Sequence, residues 1–215
     1  MTLARRSSLL ALFVSLALAS FAGGAAADGS KTGKKAKVVG GATTLALDPG
    51  TAAALTDAGI AVAPIGPARA TPDGITFPIT GGRLSADPLG GRIRHAGGLR
   101  LASDDAVVRL RRFVIELDES PNLTARVGGS RVSILDLDLS QARLSVTGRK
   151  VMASGVIATL SADGAAALNQ AFGLQLEEGL IIGTADVKAK LGKAWADHDR
   201  DDDDCGEEDD NDNDD

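Results

Sequence analysis

Tyrosine is absent from the chain, tryptophan occurs once, and aromatic residues of all kinds make up 3% of it. Base stacking needs several exposed rings, so nucleic acid is not an expected partner. The core must be assembled from Val, Leu, Ile and Ala instead. Cysteine occurs once, at Cys205, so no intrachain disulfide can form and the thiol is either free or paired with another molecule. Histidine occurs twice, at His95 and His198, which leaves the body of the chain one imidazole and no two-histidine metal site. The GxSxG elbow, the GxxxxGKS/T phosphate loop, the GxGxxG fingerprint and HExxH are all missing. No catalytic constellation is nominated, and a non-enzyme is expected.

Long apolar runs are equally scarce. The first, Leu9 to Phe21, follows Arg5 and Arg6 and precedes Ala25-Ala26-Ala27, which is the layout of an export signal. Residues 1–27 are therefore expected to be a signal peptide cleaved after Ala27. The run is shorter than the ~20 residues that cross a bilayer, and no later segment is apolar enough to do so. The product is expected to be secreted or cell-surface associated, without a transmembrane segment.

Charge is split along the chain. Asp197–Asp215 holds 13 acidic residues and one arginine, net −12, whereas the whole chain is −6, so residues 1–196 carry +6. A run of like charge without apolar residues cannot bury surface, and residues 194–215 are expected to form a disordered acidic tail that folding does not need. Within the tail, Asp201, Asp203, Gly206 and Asp212 occupy positions 1, 3, 6 and 12 of a calcium loop. Cys205 falls where an oxygen ligand belongs and Asp212 is shorter than the usual glutamate, so a weak calcium site, diffuse cation binding and a plain solvating tail remain alternative readings. At the other end DGSKTGKKAK, residues 28–37, reads as a flexible basic linker.

Residues 38–193 alternate with period two more often than with helical period. In RVSILDLDLS, residues 131–140, Leu135, Leu137 and Leu139 share one face and Asp136 and Asp138 the other, as on a strand with one wet side. The two aspartates read as a solvated face or, less simply, as an acid/base pair. In VVRLRRFVIELD, residues 107–118, the apolar parity changes after Leu110, and an extra residue near Arg111 and Arg112 would restore one buried face as a β-bulge does. Further strands are predicted over 43–47, 75–80, 99–102, 122–127, 143–147, 156–160 and 181–191, with GG pairs and prolines read as turns. Two short helices are predicted from similar units, TLALDPGTAAALTDAGIAV (44–62) and TLSADGAAALNQAFGLQL (159–176), each with a capping residue before AAAL and a glycine after it. The expected fold is mainly β: an antiparallel, sandwich-like sheet domain with two short helices.

FPITGG (77–82), GRIRHAGGLRL (91–101), NLTARVGG (122–129) and VSILDLDLS (132–140), in that order and with H-x-G-x-L at His95, Gly97 and Leu99, resemble the HtaA-type domain of secreted and surface haem-uptake proteins. The resemblance covers roughly residues 40–190. It implies a tyrosine as iron ligand with the motif histidine assisting; only the histidine has a counterpart here. Haem is thus the implied cofactor, with binding expected to be weak or absent and dependent on His95. From the residues alone, Ile93 and His95 face one side of an extended segment and Arg92 and Arg94 the other. His95 is either satisfied by a backbone group at the Gly97-Gly98 turn or touches a ligand. Arg92 and Arg94 would join it only where a ligand with carboxylates or phosphates crossed the strand edge. The expected function is a binding module for a small-molecule or cell-surface ligand; the alternative is a structural or adhesive domain with a cation-binding tail.

Overall fold

The computed structural model describes residues 35–86 and 89–193. Along the chain these form β1 (Lys35–Leu47), α1 (Pro49–Asp57), β2 (Ala61–Ile65), β3 (Arg69–Thr71), β4 (Gly74–Ala86), β5 (Leu89–His95), β6 (Gly98–Ala102) and β7 (Val107–Leu117). There follow β8 (Asn122–Val127), β9 (Ser130–Asp138), β10 (Arg143–Thr147), β11 (Lys150–Leu160), α2 (Ala162–Phe172) and β12 (Ile181–Leu191). The predicted tail, with Asp201, Asp203 and Asp212, and the predicted signal segment lie outside the described residues. Lys35 to Lys37, read as the end of the linker, begin β1, because Ala36 and Val38 are buried and alternate with the two exposed lysines.

The sheet is antiparallel and closes. From β7 the hydrogen-bonded order runs through β5, β4, β1, β12, β11, β9 and β8, and β8 pairs again with β7, giving an eight-stranded barrel. Closure removes the open edges that an isolated sheet would expose. Opposite walls face one another across one apolar core, so the alternation in sequence is the same as that of two packed sheets. Val38, Ala125, Ala158 and Leu160 are essentially inaccessible, and Phe77 packs edge-on against Phe113 with ring centroids 5.2 Å apart. Outside the ring, β6 pairs with the first half of β7, β2 with β6, β3 with β4, and β10 with β11.

The parity change in residues 107–118 is a bulge. Arg112 adopts φ 53° and the β7–β8 register shifts between Arg111 and Val114, which returns Phe113 and Ile115 to the inner face that Leu110 occupies. The GG pairs correct the sequence reading. Gly97-Gly98 and Gly128-Gly129 do lie at strand junctions, but Gly40-Gly41, Gly81-Gly82 and Gly90-Gly91 stand inside β1, β4 and β5. At Gly82 an added Cβ would overlap the Arg92 carbonyl, and at Gly91 the Arg83 carbonyl, so these glycines let β4 and β5 approach closely as they coil.

Both helices sit at the same end of the barrel. β1 and β11 are both antiparallel to β12 and end beside its first residues, and each runs directly into a helix. The Asp48 carboxylate accepts from the Thr51 N–H at 3.1 Å and the Ser161 hydroxyl from the Gly164 N–H at 3.1 Å, so the predicted caps are present. Each capping residue also donates its own N–H to a neighbouring strand, Asp48 to the Ile182 carbonyl at 3.0 Å and Ser161 to the Ile134 carbonyl at 3.1 Å. Gly173, in the left-handed region at φ 66°, stops α2. Among the described residues no helix is long and apolar enough to cross a membrane.

Candidate functional site

The inward side chains do not fill the barrel. A cavity of about 290 Å³ remains inside it, at the small end of the range of pockets that hold small molecules. Leu, Ile, Val, Ala and Phe side chains line it, Phe77 and Phe113 among them, and the polar residues in its wall are Thr43, Thr51, His95 and Gln175. Leu144 and Leu180 belong to the lining and are also 51% and 39% exposed, so the cavity reaches the surface past apolar side chains. At the helical end, the Asn169 amide fixes the loop after α2 by donating to the Leu176 carbonyl at 2.9 Å and accepting from the Leu176 N–H at 2.7 Å. Leu174 and Leu176 are thereby held as part of the cavity wall.

His95 is the last residue of β5, opposite Ile79 of β4. The chain turns away immediately after it, with the Ala96 N–H donating to the Pro78 carbonyl at 2.9 Å. Gly97 follows at φ 87°, where a Cβ would stand 2.7 Å from the Ile65 carbonyl oxygen. The imidazole itself is 6% exposed and lines the cavity. Its Nε2 shares a hydrogen bond of 2.8 Å with Oγ1 of Thr43, across the intervening β4, and Thr43 is 5% exposed. Nδ1 is buried without a hydrogen-bond partner. Burial pushes the imidazole pKa down to about 4, and the nearby Phe113 backbone offsets part of that shift without closing a well-formed bond on Nδ1. At neutral pH the ring is uncharged. The ring lines the apolar chamber, while Nδ1 itself is buried near the Phe113 backbone.

Arg92 and Arg94, the other nominated residues, alternate with Ile93 and His95 and are exposed on the outer face of the same strand. The barrel wall separates them from the cavity. They line a cleft on the outside with Lys37, Arg83 and the bare backbone of Gly81 and Gly82. Asp136 and Asp138 also stand on the exposed face, where the Ser140 N–H, 2.8 Å from the Asp138 carboxylate, lowers that carboxyl's pKa. No sequence motif marks Thr43 as a site residue. Its position, two residues before Leu45 in a predicted strand with one buried face, already marked it as inward.

No family model and no curated protein matches the chain. Among solved structures, the C-terminal domain of HtaA from Corynebacterium glutamicum superposes with a TM-score of 0.59 at 18% identity, over 73% of this chain and 99% of that domain. The chain has the fold of an HtaA domain. A domain-swapped dimer variant of the same domain gives a TM-score of 0.51 at 20% identity, over 67% of this chain and 94% of that one. The HtaA N-terminal domain gives 0.48 at 13% identity, over 72% and 98%. The resemblance read from residues 77–140 is thus borne out at the level of the HtaA fold.

Haem, which that resemblance implied, can be tested against the side chains present. An axial ligand must bring a strong donor atom to the iron. In this HtaA-type barrel the chain has no tyrosine, Nε2 of His95 is engaged by Thr43, and the ring lies inside the wall. Arg92 and Arg94 face away from it and cannot hold the carboxylates of a group bound at His95. These residues do not fit a haem iron. Among the described residues no cluster of His, Cys, Asp or Glu fits another metal either.

Proposed function

We propose that the protein is a secreted, non-enzymatic binding module that carries a small, mainly apolar molecule inside the barrel, with one hydrogen-bonding group of that molecule meeting His95. The observation that carries this reading is the 290 Å³ cavity inside the barrel, lined almost wholly by hydrocarbon with Thr43 and His95 among the few polar residues of its wall. Cavities lined by hydrocarbon bind apolar molecules, and a single placed polar group orients them. The likeness to the C-terminal domain of HtaA supports a binding role for the fold.

A neutral apolar fluorophore, N-phenylnaphthylamine, tests the reading. Its emission is expected to rise and shift to the blue on titration, saturating at one molecule per chain. Ala153, half-buried in the cavity wall, offers the control: Ala153→Phe should fill the chamber and weaken binding at least tenfold while leaving the strand-dominated circular dichroism unchanged. Absence of saturable binding to the folded wild type would sink the proposal. A tight one-to-one Soret complex with haemin, lost in His95→Ala, would replace it with the haem reading.

A further inference from the structure

The outer face of one wall carries arginines opposite arginines. Arg111 of β7 pairs in register with Arg126 of β8, which pairs with Arg131 of β9, and Arg100 of β6 stands opposite Arg109 of β7. On the adjoining strands Lys37 is opposite Arg83, and Arg83 opposite Arg92. Like charges directly across a ladder repel and normally cost stability. Among the described residues none of these cations forms an ion pair, and the one polar contact made by these guanidiniums is Arg131 Nη1 donating to the Thr124 hydroxyl at 2.7 Å. Two acids stand in register with the row that begins at Lys37, Glu116 opposite Arg92 and, beyond Asn122, Asp136; none stands in register with Arg111, Arg126 and Arg131. These cations are left to solvent and to any counter-charge brought from beyond the barrel.

The chain holds counter-charge and leaves the barrel beside Lys37, at the end away from the helices, with the Arg111, Arg126 and Arg131 row toward the helical end. β12 ends at Leu191, in register with Val38, and the Gly192 N–H donates to the Lys37 carbonyl at 2.8 Å. Lys37 opens the basic cleft shared with Arg83, Arg92 and Arg94. Asp197, the first residue of the segment with net charge −12, is five residues beyond Gly192. Five extended residues span up to roughly 17 Å, which is more than the ~10 Å across β1, β4 and β5. The remaining tail is long enough to continue over β7, β8 and β9. Tethering at this length holds the acids near the wall at an effective concentration on the order of millimolar.

We propose that Asp197–Asp215 lies across the arginine wall as an intramolecular counter-charge and masks it from other polyanions. The contacts are solvent-exposed, so at moderate salt the docking adds little to global stability, and thermal melting is not its readout.

Cys205 stands within the docking segment and is the one cysteine of the chain, so a nitroxide can be attached there without any substitution. With the chain from Asp28 to Asp215 labelled in this way at low salt, amide signals of Arg111, Arg126 and Arg131 are expected to lose at least half their intensity. Those of Ser154 and Thr184, on β11 and β12, should keep theirs. The loss should vanish at about 1 M salt, where the screening length falls to ~3 Å, and in the double variant Arg111→Gln, Arg126→Gln. Equal attenuation on both walls, or attenuation that survives high salt, would overturn the proposal. So would a soluble sulfated polysaccharide that binds the wall while the label's effect stays unchanged, because the two cannot share one surface.

Discussion

Acidification from pH 7 to pH 4 is expected to remove about 3 kcal/mol of stability through His95 alone. The buried imidazole has its folded-state pKa pushed down to about 4, whereas in the unfolded chain it returns to 6.5. Above 6.5 both states hold a neutral ring and the group contributes no pH dependence. Between 6.5 and 4 the unfolded chain takes up a proton that the folded chain refuses, so unfolding becomes progressively easier as pH falls. Below 4 both states are protonated and the penalty levels off. Urea unfolding of the wild type and His95→Gln at pH 7, 5.5 and 4 measures it: the wild type should lose stability steeply over this window and the variant much less. Parallel pH profiles for the two proteins would place the acid sensitivity elsewhere. An apolar ligand held beside the neutral ring should deepen the effect, since it binds only the folded form with His95 unprotonated.

Gly41→Ala is expected to cost about 3 kcal/mol or more, a loss of the same order from a single methyl group. Gly41 lies inside β1 at φ 130°, a conformation that L side chains rarely adopt, and an added Cβ would overlap the Lys188 carbonyl of β12. Relief requires moving the β1–β12 ladder, one of the eight seams that close the barrel. The adjacent glycine supplies the control. A methyl group added at Gly40 would meet nothing within 4 Å, and the backbone there has no positive φ, so Gly40→Ala should change stability by no more than about 0.5 kcal/mol. Chemical denaturation of the pair decides the matter; similar losses at both positions would show that β-propensity, not backbone contact, sets the requirement for glycine.

These two residues also show where a sequence stops being legible. His95 could be assigned to the face of Ile93 and opposite to Arg92 and Arg94 from alternation alone, because a side chain's face on a strand depends only on its parity. Its partner could not, because Thr43 is 52 positions away on a strand that is not even adjacent to β5. The GG pairs were read as turns because glycine is enriched there. Whether a glycine instead serves a close crossing of two strands depends on which carbonyl lies opposite, and that is a property of the register.

What the sequence determined by itself is local. Period-two alternation set the inward and outward faces, the parity change placed the bulge at Arg112, and Asp48, Ser161 and Gly173 set the ends of the helices, since each of these is decided by contacts within a few residues. The tertiary structure alone decided that the sheet closes through β7 and β8, that an apolar chamber remains inside it, and that arginines from six strands meet on one side. Closure, cavity volume and charge clustering arise from pairings between distant segments, whose free energies depend on every other pairing being made and leave no periodic trace in the chain.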